Sequence, residues 1–133
     1  MQVFVVTRHY RLDQCNEYSE AWCEVEKTFA REEDALVYAI LESIDDNGWV
    51  PEEIPPQKYC DWRIDYKLII KSIFGEDTEK TEKQISAKVP SLSIAELREV
   101  YKTANEVIQN KKDLCGLDYN ETNLYEVTPQ IVE

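Results

Sequence analysis

Apolar and polar positions alternate from Val3 to Leu12. Phe4, Val6, Tyr10 and Leu12 fall on one side, and Val3 and Val5 add apolar character to the other. A period of two predicts a first strand. Ala21 to Phe29 alternates again, with Cys23, Val25 and Phe29 opposite Trp22, Glu24, Glu26 and Thr28, and predicts a second strand joined to the first by the polar stretch Asp13 to Glu20. From Arg31 to Asp46 the period changes. Leu36, Ala39, Ile40 and Ile44 recur at helical spacing, Glu32, Glu33 and Asp34 occupy the first turn, and Asn47-Gly48 supplies a stop. Pro51, Pro55 and Pro56 make Trp49 to Tyr59 a connector.

Asp61 to Phe74 reads as a third strand. Trp62, Ile64, Tyr66, Leu68 and Ile70 alternate with Arg63, Asp65, Lys67 and Lys71, and Ile69 is the one apolar residue on the polar face. Ile85, Ala87 and Val89 predict a fourth strand from about Glu82 to Val89. Ser93-Ile94-Ala95-Glu96 is a capping box opening a second helix. Its stripe is Leu97, Tyr101, Ala104 and Ile108, ending near Leu114 and Gly116. Leu124 to Val132 is strand-like, and Pro129 restricts it to an edge strand or a tail. The expected order is β-β-α-β-β-α-(β): one α+β domain over residues 1–133, with an antiparallel sheet of four to five strands and two helices packed on one face.

Composition narrows the function classes. With 27 acidic residues against 15 basic ones the net charge is -12, which disfavours direct nucleic-acid binding. Three glycines, at 48, 75 and 116, leave no glycine-rich phosphate cradle, and the single His9 excludes sites that need two histidines. No motif calls for a cofactor or a metal. The short apolar run near Met1 reads as a strand start rather than a secretory signal, and no apolar stretch is long enough for a membrane span. The expectation is a cytoplasmic protein with Cys15, Cys23, Cys60 and Cys115 reduced.

Several constellations invite chemistry. Asp65-Tyr66-Lys67 on a strand matches the acid-x-lysine spacing of metal-dependent nucleases, with Asp45 or Asp46 as a further ligand. The same residues also read as a solvated ladder of alternating charges. His9 with Cys15 or Cys23 is the sole combination for a thiol catalyst, and nothing in the chain's order joins them. Arg63 and Arg98 are candidate anchors for a small anion in an aromatic pocket near the proline connector. Charge is concentrated instead. Residues 31–60 hold 2 basic and 8 acidic residues, half of the net -12. The candidate partner-binding patch is Glu32, Glu33, Asp34, Glu42, Asp45, Asp46, Trp49, Glu52 and Glu53.

The run from Val25 to Tyr38, a strand ending in Phe29 followed by a helix opening with Glu32, Glu33, Asp34 and Ala35, resembles a phrase found in small phage and mobile-element α+β proteins. With the first strand it covers about residues 1–45. Some such proteins inhibit bacterial defence systems. The resemblance implies a fold rather than site residues, and Ala30 stands where those proteins often carry a capping Ser or Asp. The leading functional expectation is a small acidic protein that binds a protein partner with a basic surface, in its sharper form a phage-type inhibitor of a host defence or nucleic-acid-binding protein. The alternatives are a small-ligand-binding or sequestering protein, monomeric or oligomeric, and a metal-dependent nuclease-like enzyme.

Overall fold

The computed structural model describes residues 1–14, 18–47, 66–76, 80–112 and 120–132. Its elements are β1 (Gln2–Gln14), β2 (Tyr18–Phe29), α1 (Glu32–Asn47), α2 (Tyr66–Phe74), α3 (Glu82–Lys88), a 3-10 turn (Val89–Ser91), α4 (Ile94–Lys112) and β3 (Asn120–Ile131). The chain is α+β, but the sheet has three antiparallel strands in the order β2-β1-β3, and there are four helices among the described residues. The expected four- to five-stranded sheet with two helices is therefore wrong at two elements.

The first is the third strand. Residues from Tyr66 onward are helical, while 61–65 lie outside the described residues. Ile69, Ile70 and Ile73 are buried and Leu68 is exposed. That is helical spacing, and it buries Ile69, the residue that the alternating pattern left on the polar side. Gly75, at φ +78, ends α2 in the left-handed conformation, and its N–H donates to the Lys71 carbonyl at 2.8 Å. The second is the fourth strand. Thr81-Glu82-Lys83-Gln84 is a capping box, with the Thr81 side chain accepting from the Gln84 N–H and the Gln84 side chain accepting from the Thr81 N–H. Ile85 and Val89, four residues apart, are both buried, whereas Ala87 is exposed.

The other elements have the expected type, although β1 and β2 extend into the stretch Asp13 to Glu20 expected as their connection. The Ser93 capping box opens α4, with Glu96 N–H donating to Ser93 Oγ at 3.2 Å and Ser93 N–H to Glu96 Oε1 at 3.0 Å. Pro129 lies on β3, an edge strand paired with β1. A register shift between Val6 and Thr7 makes Glu26 an extra residue in β2. The bulge reverses the alternation there. Phe29 and Lys27 lie opposite Phe4 and Val6, whereas Val25 and Cys23 lie opposite Thr7 and His9 on the other face. The expected common face for Cys23, Val25 and Phe29 is thus broken.

Helix α1 crosses β1 and β3, bringing Ala35 and Ala39 onto Val6 and Tyr125. Two alanines at helical spacing let the helix approach the sheet closely. Its other side joins α2, α3, the 3-10 turn and α4 in the main core, where Leu36, Ile40, Ile44, Ile69, Ile85, Val89, Leu97, Val100 and Ile108 are buried. Side chains opposite one another in the ladder divide the sheet into two faces. Phe4, Val6, Arg8 and Tyr10 look toward α1, and Val3, Val5, Thr7 and His9 look away.

Candidate partner-binding site

Helix α1 carries acidic residues at both ends, and no basic residue lies in its last turn. Glu32, Glu33 and Asp34 complement the positive end of the helix dipole. Two of them are also paired. Arg98 Nε and Nη2 donate to Glu32 at 2.6 and 3.1 Å, and Arg31 Nε and Nη2 donate to Glu33 at 3.0 and 2.8 Å. The hydrogen bonds from Arg98 hold the Glu32 carboxyl below its ordinary pKa.

At the other end, Glu42, Asp45 and Asp46 are three and four positions apart, so they share a face. Their carboxylate oxygens lie within 4.8 Å of one another, with Asp45 and Asp46 exposed and Glu42 half-buried. Like charges at this spacing repel, and they sit where the helix dipole is already negative. Burial raises the Glu42 pKa, and Asp46, Asp45 and Glu26 raise it further.

One cation from the sheet reaches this cluster. Arg8 projects from the middle of β1 with Nη2 2.9 Å from Glu24, Nε 3.1 Å from Glu26 and Nη1 3.7 Å from Asp46. Its Nε contact with Glu26 is an ion pair whose geometry makes no hydrogen bond. The guanidinium lies 4.8 Å from the centre of the Trp22 ring, which stacks on Tyr10 at 4.9 Å. Tyr125, buried beneath, donates its hydroxyl hydrogen bond to Asp46. Burial, and then Asp46, raise the tyrosine pKa far above its ordinary 10.0, so the hydroxyl stays a donor. Three carboxylates, from Glu24, Glu26 and Asp46, thus share a single guanidinium, and Glu42 and Asp45 lie beside Asp46.

Two concavities border the cluster. A groove of about 600 Å³ runs beside α1, lined by Val37, Tyr38, Leu41, Pro90 and Leu92, with Glu33, Asp34 and Glu42 on its polar side. A smaller one of about 220 Å³ joins Glu42 and Asp45 to Glu82 of α3. An apolar floor beside carboxylates fits a lysine or arginine side chain, whose stem is apolar and whose head is charged. The three carboxylates of α1 have the chemistry of ligands for a hard divalent cation. Asp46, however, already accepts from Tyr125 and faces Arg8, which would compete with the ion.

The expected patch is therefore divided. Glu42, Asp45 and Asp46 come together, Glu32 and Glu33 are held by arginines at the opposite end of α1, and Asp34 is exposed there. Trp49, Glu52 and Glu53 lie outside the described residues. Arg8 and Tyr125 escaped the sequence reading, and Trp22, Glu24 and Glu26, expected on one face of the second strand, were not assigned to the patch. A charged residue between Val6 and Tyr10, in an otherwise apolar strand face, was the available signal for Arg8. The nuclease arrangement loses its basis, because Lys67 is on a helix, where positions two apart do not share a face; Asp65 lies outside the described residues.

Elsewhere, His9 and Cys23 are direct cross-strand partners, a pairing that the sequence did not reveal. His9 Nε2 lies 3.3 Å from Glu126 Oε1, and Cys23 is a free, exposed thiol. Both line a pocket of about 360 Å³ between the sheet and the end of α4. Of the two candidate anion anchors, Arg98 is occupied by Glu32, and Arg63 lies outside the described residues. No helix among the described residues is long and apolar enough to cross a membrane. No known protein family, curated protein or solved structure matches the chain.

Proposed function

We propose that this is a small cytoplasmic binding protein that engages a protein partner with a basic surface through Glu42, Asp45 and Asp46 and the adjoining groove. The observation that carries the reading is the placement of three acids together at the negative end of α1, with only Asp46 facing an arginine among the described residues. The helix dipole opposes that placement by about 0.3–1 kcal/mol for each of Asp45 and Asp46, and like-charge repulsion adds to it at Glu42. A cationic partner would reverse the sign of the interaction. Its lysine or arginine stems would lie on Val37, Leu41 and Leu92, and their heads on the carboxylates. In its sharper form, the protein is an inhibitor of the phage type. Its carboxylates stand in for phosphates and occupy a nucleic-acid-binding channel of a host defence protein.

The test is capture of partners from cell extract by the wild-type protein and by a Glu42→Gln/Asp45→Asn/Asp46→Asn variant, followed by affinity measurement with the purified partner. Expected is a partner whose affinity falls at least about tenfold in the variant, equivalent to about 1.4 kcal/mol. Its affinity should also weaken as salt rises from about 50 to 300 mM. Equal affinity for both proteins, or no salt dependence, contradicts the reading.

A further inference from the structure

Strand register joins two residues that sequence order keeps apart. His9 on β1 is paired directly with Cys23 on β2 and with Leu124 on β3, so the three side chains share the sheet face turned away from α1. Directly opposed residues of an antiparallel pair have Cβ atoms about 4.5–5.5 Å apart, which puts a thiol within reach of a ring nitrogen by side-chain rotation. Glu126, two positions along β3, lies on the same face and holds the ring, with Oε1 3.3 Å from His9 Nε2. That contact leaves Nδ1 for the thiol. Acid, imidazole and thiol in this order make an activated nucleophile, with a base beside the sulfur and a third group orienting the base. Cys23 itself is free and exposed.

The pair stands at the pocket of about 360 Å³, whose walls include Ala21, Thr122 and Leu124 of the sheet and Ile108 and Gln109 of α4. A pocket of this size takes a small molecule. The charged and titratable groups beside the thiol on this face are His9 and Arg11 of β1 and Glu126 of β3; the two α4 residues are neutral.

We propose that Cys23 is a nucleophilic thiol, served by His9 as base, that exchanges with a small-molecule disulfide bound in this pocket. Cys23 Sγ attacks one sulfur of R–S–S–R, and the thiol proton passes to His9. The Cys23–S–S–R bond forms as the original S–S bond breaks, and the leaving thiolate takes the proton from His9 as RSH. The disulfide is the oxidant, and the cysteine is oxidised. Acyl transfer fits less well, because it needs N–H donors for an oxyanion, and those of β1, the central strand, are engaged by its two neighbours. Glu126 acts through His9, as a positioning residue. The site lies on the opposite sheet face from Arg8 and Tyr125 and is independent of the acidic cluster that they contact.

The experiment follows mixed-disulfide formation at Cys23 of the full chain with 2-hydroxyethyl disulfide, a neutral probe that the net charge does not repel. Peptide masses score Cys15, Cys60 and Cys115 separately. The variants are His9→Gln, Glu126→Gln and Ala21→Trp, the last at an exposed position on the pocket wall. An ordinary thiol is only a few per cent ionised at pH 7, so a base speeds its reaction there and not at pH 10. Expected at pH 7 is an exchange that His9→Gln slows at least about threefold, a modest factor because thiol already ionised reacts unaided. Glu126→Gln should fall between the two, and all three rates should converge at pH 10. Ala21→Trp, by filling the pocket, should slow exchange at both pH values. Equal wild-type and His9→Gln rates at pH 7, a gap that persists at pH 10, or an Ala21→Trp protein that reacts as fast as wild type would each overturn the proposal.

Discussion

At its first turn α1 carries Glu32, Glu33 and Asp34; in its last two turns it carries Glu42, Asp45 and Asp46. The residue types are the same and the surroundings are not. At the first turn the dipole is favourable, and Arg98 and Arg31 donate to Glu32 and Glu33. At the far end the dipole is unfavourable, the three carboxylates face one another, and Arg8 is shared with Glu24 and Glu26. Acidic residues of the first group act in folding. Those of the second repel one another against the dipole, a cost that Tyr125 and Arg8 offset at Asp46, and the binding function proposed for them gives them a different role.

Removing the shared cation should break this arrangement most severely. Arg8→Ala leaves Glu24, Glu26 and Asp46 without their common partner and strips the cation from Trp22. A loss of about 2–3 kcal/mol is expected by denaturant unfolding. A loss no greater than that of an ordinary surface substitution would show that Arg8 does not organise the cluster.

Tyr125→Phe ranks next. It keeps the buried ring and deletes the hydroxyl that donates to Asp46, for an expected loss of about 1–2 kcal/mol. Because the folded-state pKa is raised above the unfolded value of 10.0, the folded protein binds the phenolic proton more tightly. The contribution of the hydroxyl is complete below pH 10 and declines as pH rises above it. The difference between wild type and Tyr125→Phe should therefore shrink in alkaline unfolding titrations; a constant difference would contradict the assigned proton position. At the small end, Asp34→Asn should change stability by less than about 0.5 kcal/mol, because its side chain is exposed, and should weaken the partner by much less than tenfold, because Asp34 borders the groove but not the carboxylate cluster. A tenfold loss of affinity there would place the interface at the first turn instead.

The physical pattern explains which parts of this molecule were legible in the chain. Val3 to Leu12 and Leu36 to Ile44 had unambiguous periods, and β1 and α1 follow them. Tyr66 to Phe74 satisfied two periods at once, since Ile69 and Ile70 are adjacent and place an apolar residue on either side of a strand. Packing of Ile69, Ile70 and Ile73 against α4 selects the helix. The Thr81–Gln84 capping box is a signal that a reading from the alternation of Ile85, Ala87 and Val89 passes over. At the site, Glu42, Asp45 and Asp46 were legible because a helix relates them by spacing. Arg8, Glu24 and Tyr125 were not, because they meet only through strand register, and the bulge at Glu26 alters the pairing that alternation alone would give.

The opposed roles of the two ends are tested most directly by unfolding free energies of Glu32→Gln and Glu42→Gln as a function of pH. The folded-state pKa of Glu32 is lowered, so its contribution is present above the unfolded value of 4.5 and lost as pH falls through the folded value. That of Glu42 is raised, so its penalty is present above the folded value and relieved as pH falls toward 4.5. At neutral pH, Glu32→Gln should lose about 0.5 kcal/mol and Glu42→Gln should gain about 0.5–1 kcal/mol, with both differences closing on acidification. Destabilisation by both substitutions at neutral pH would contradict the account.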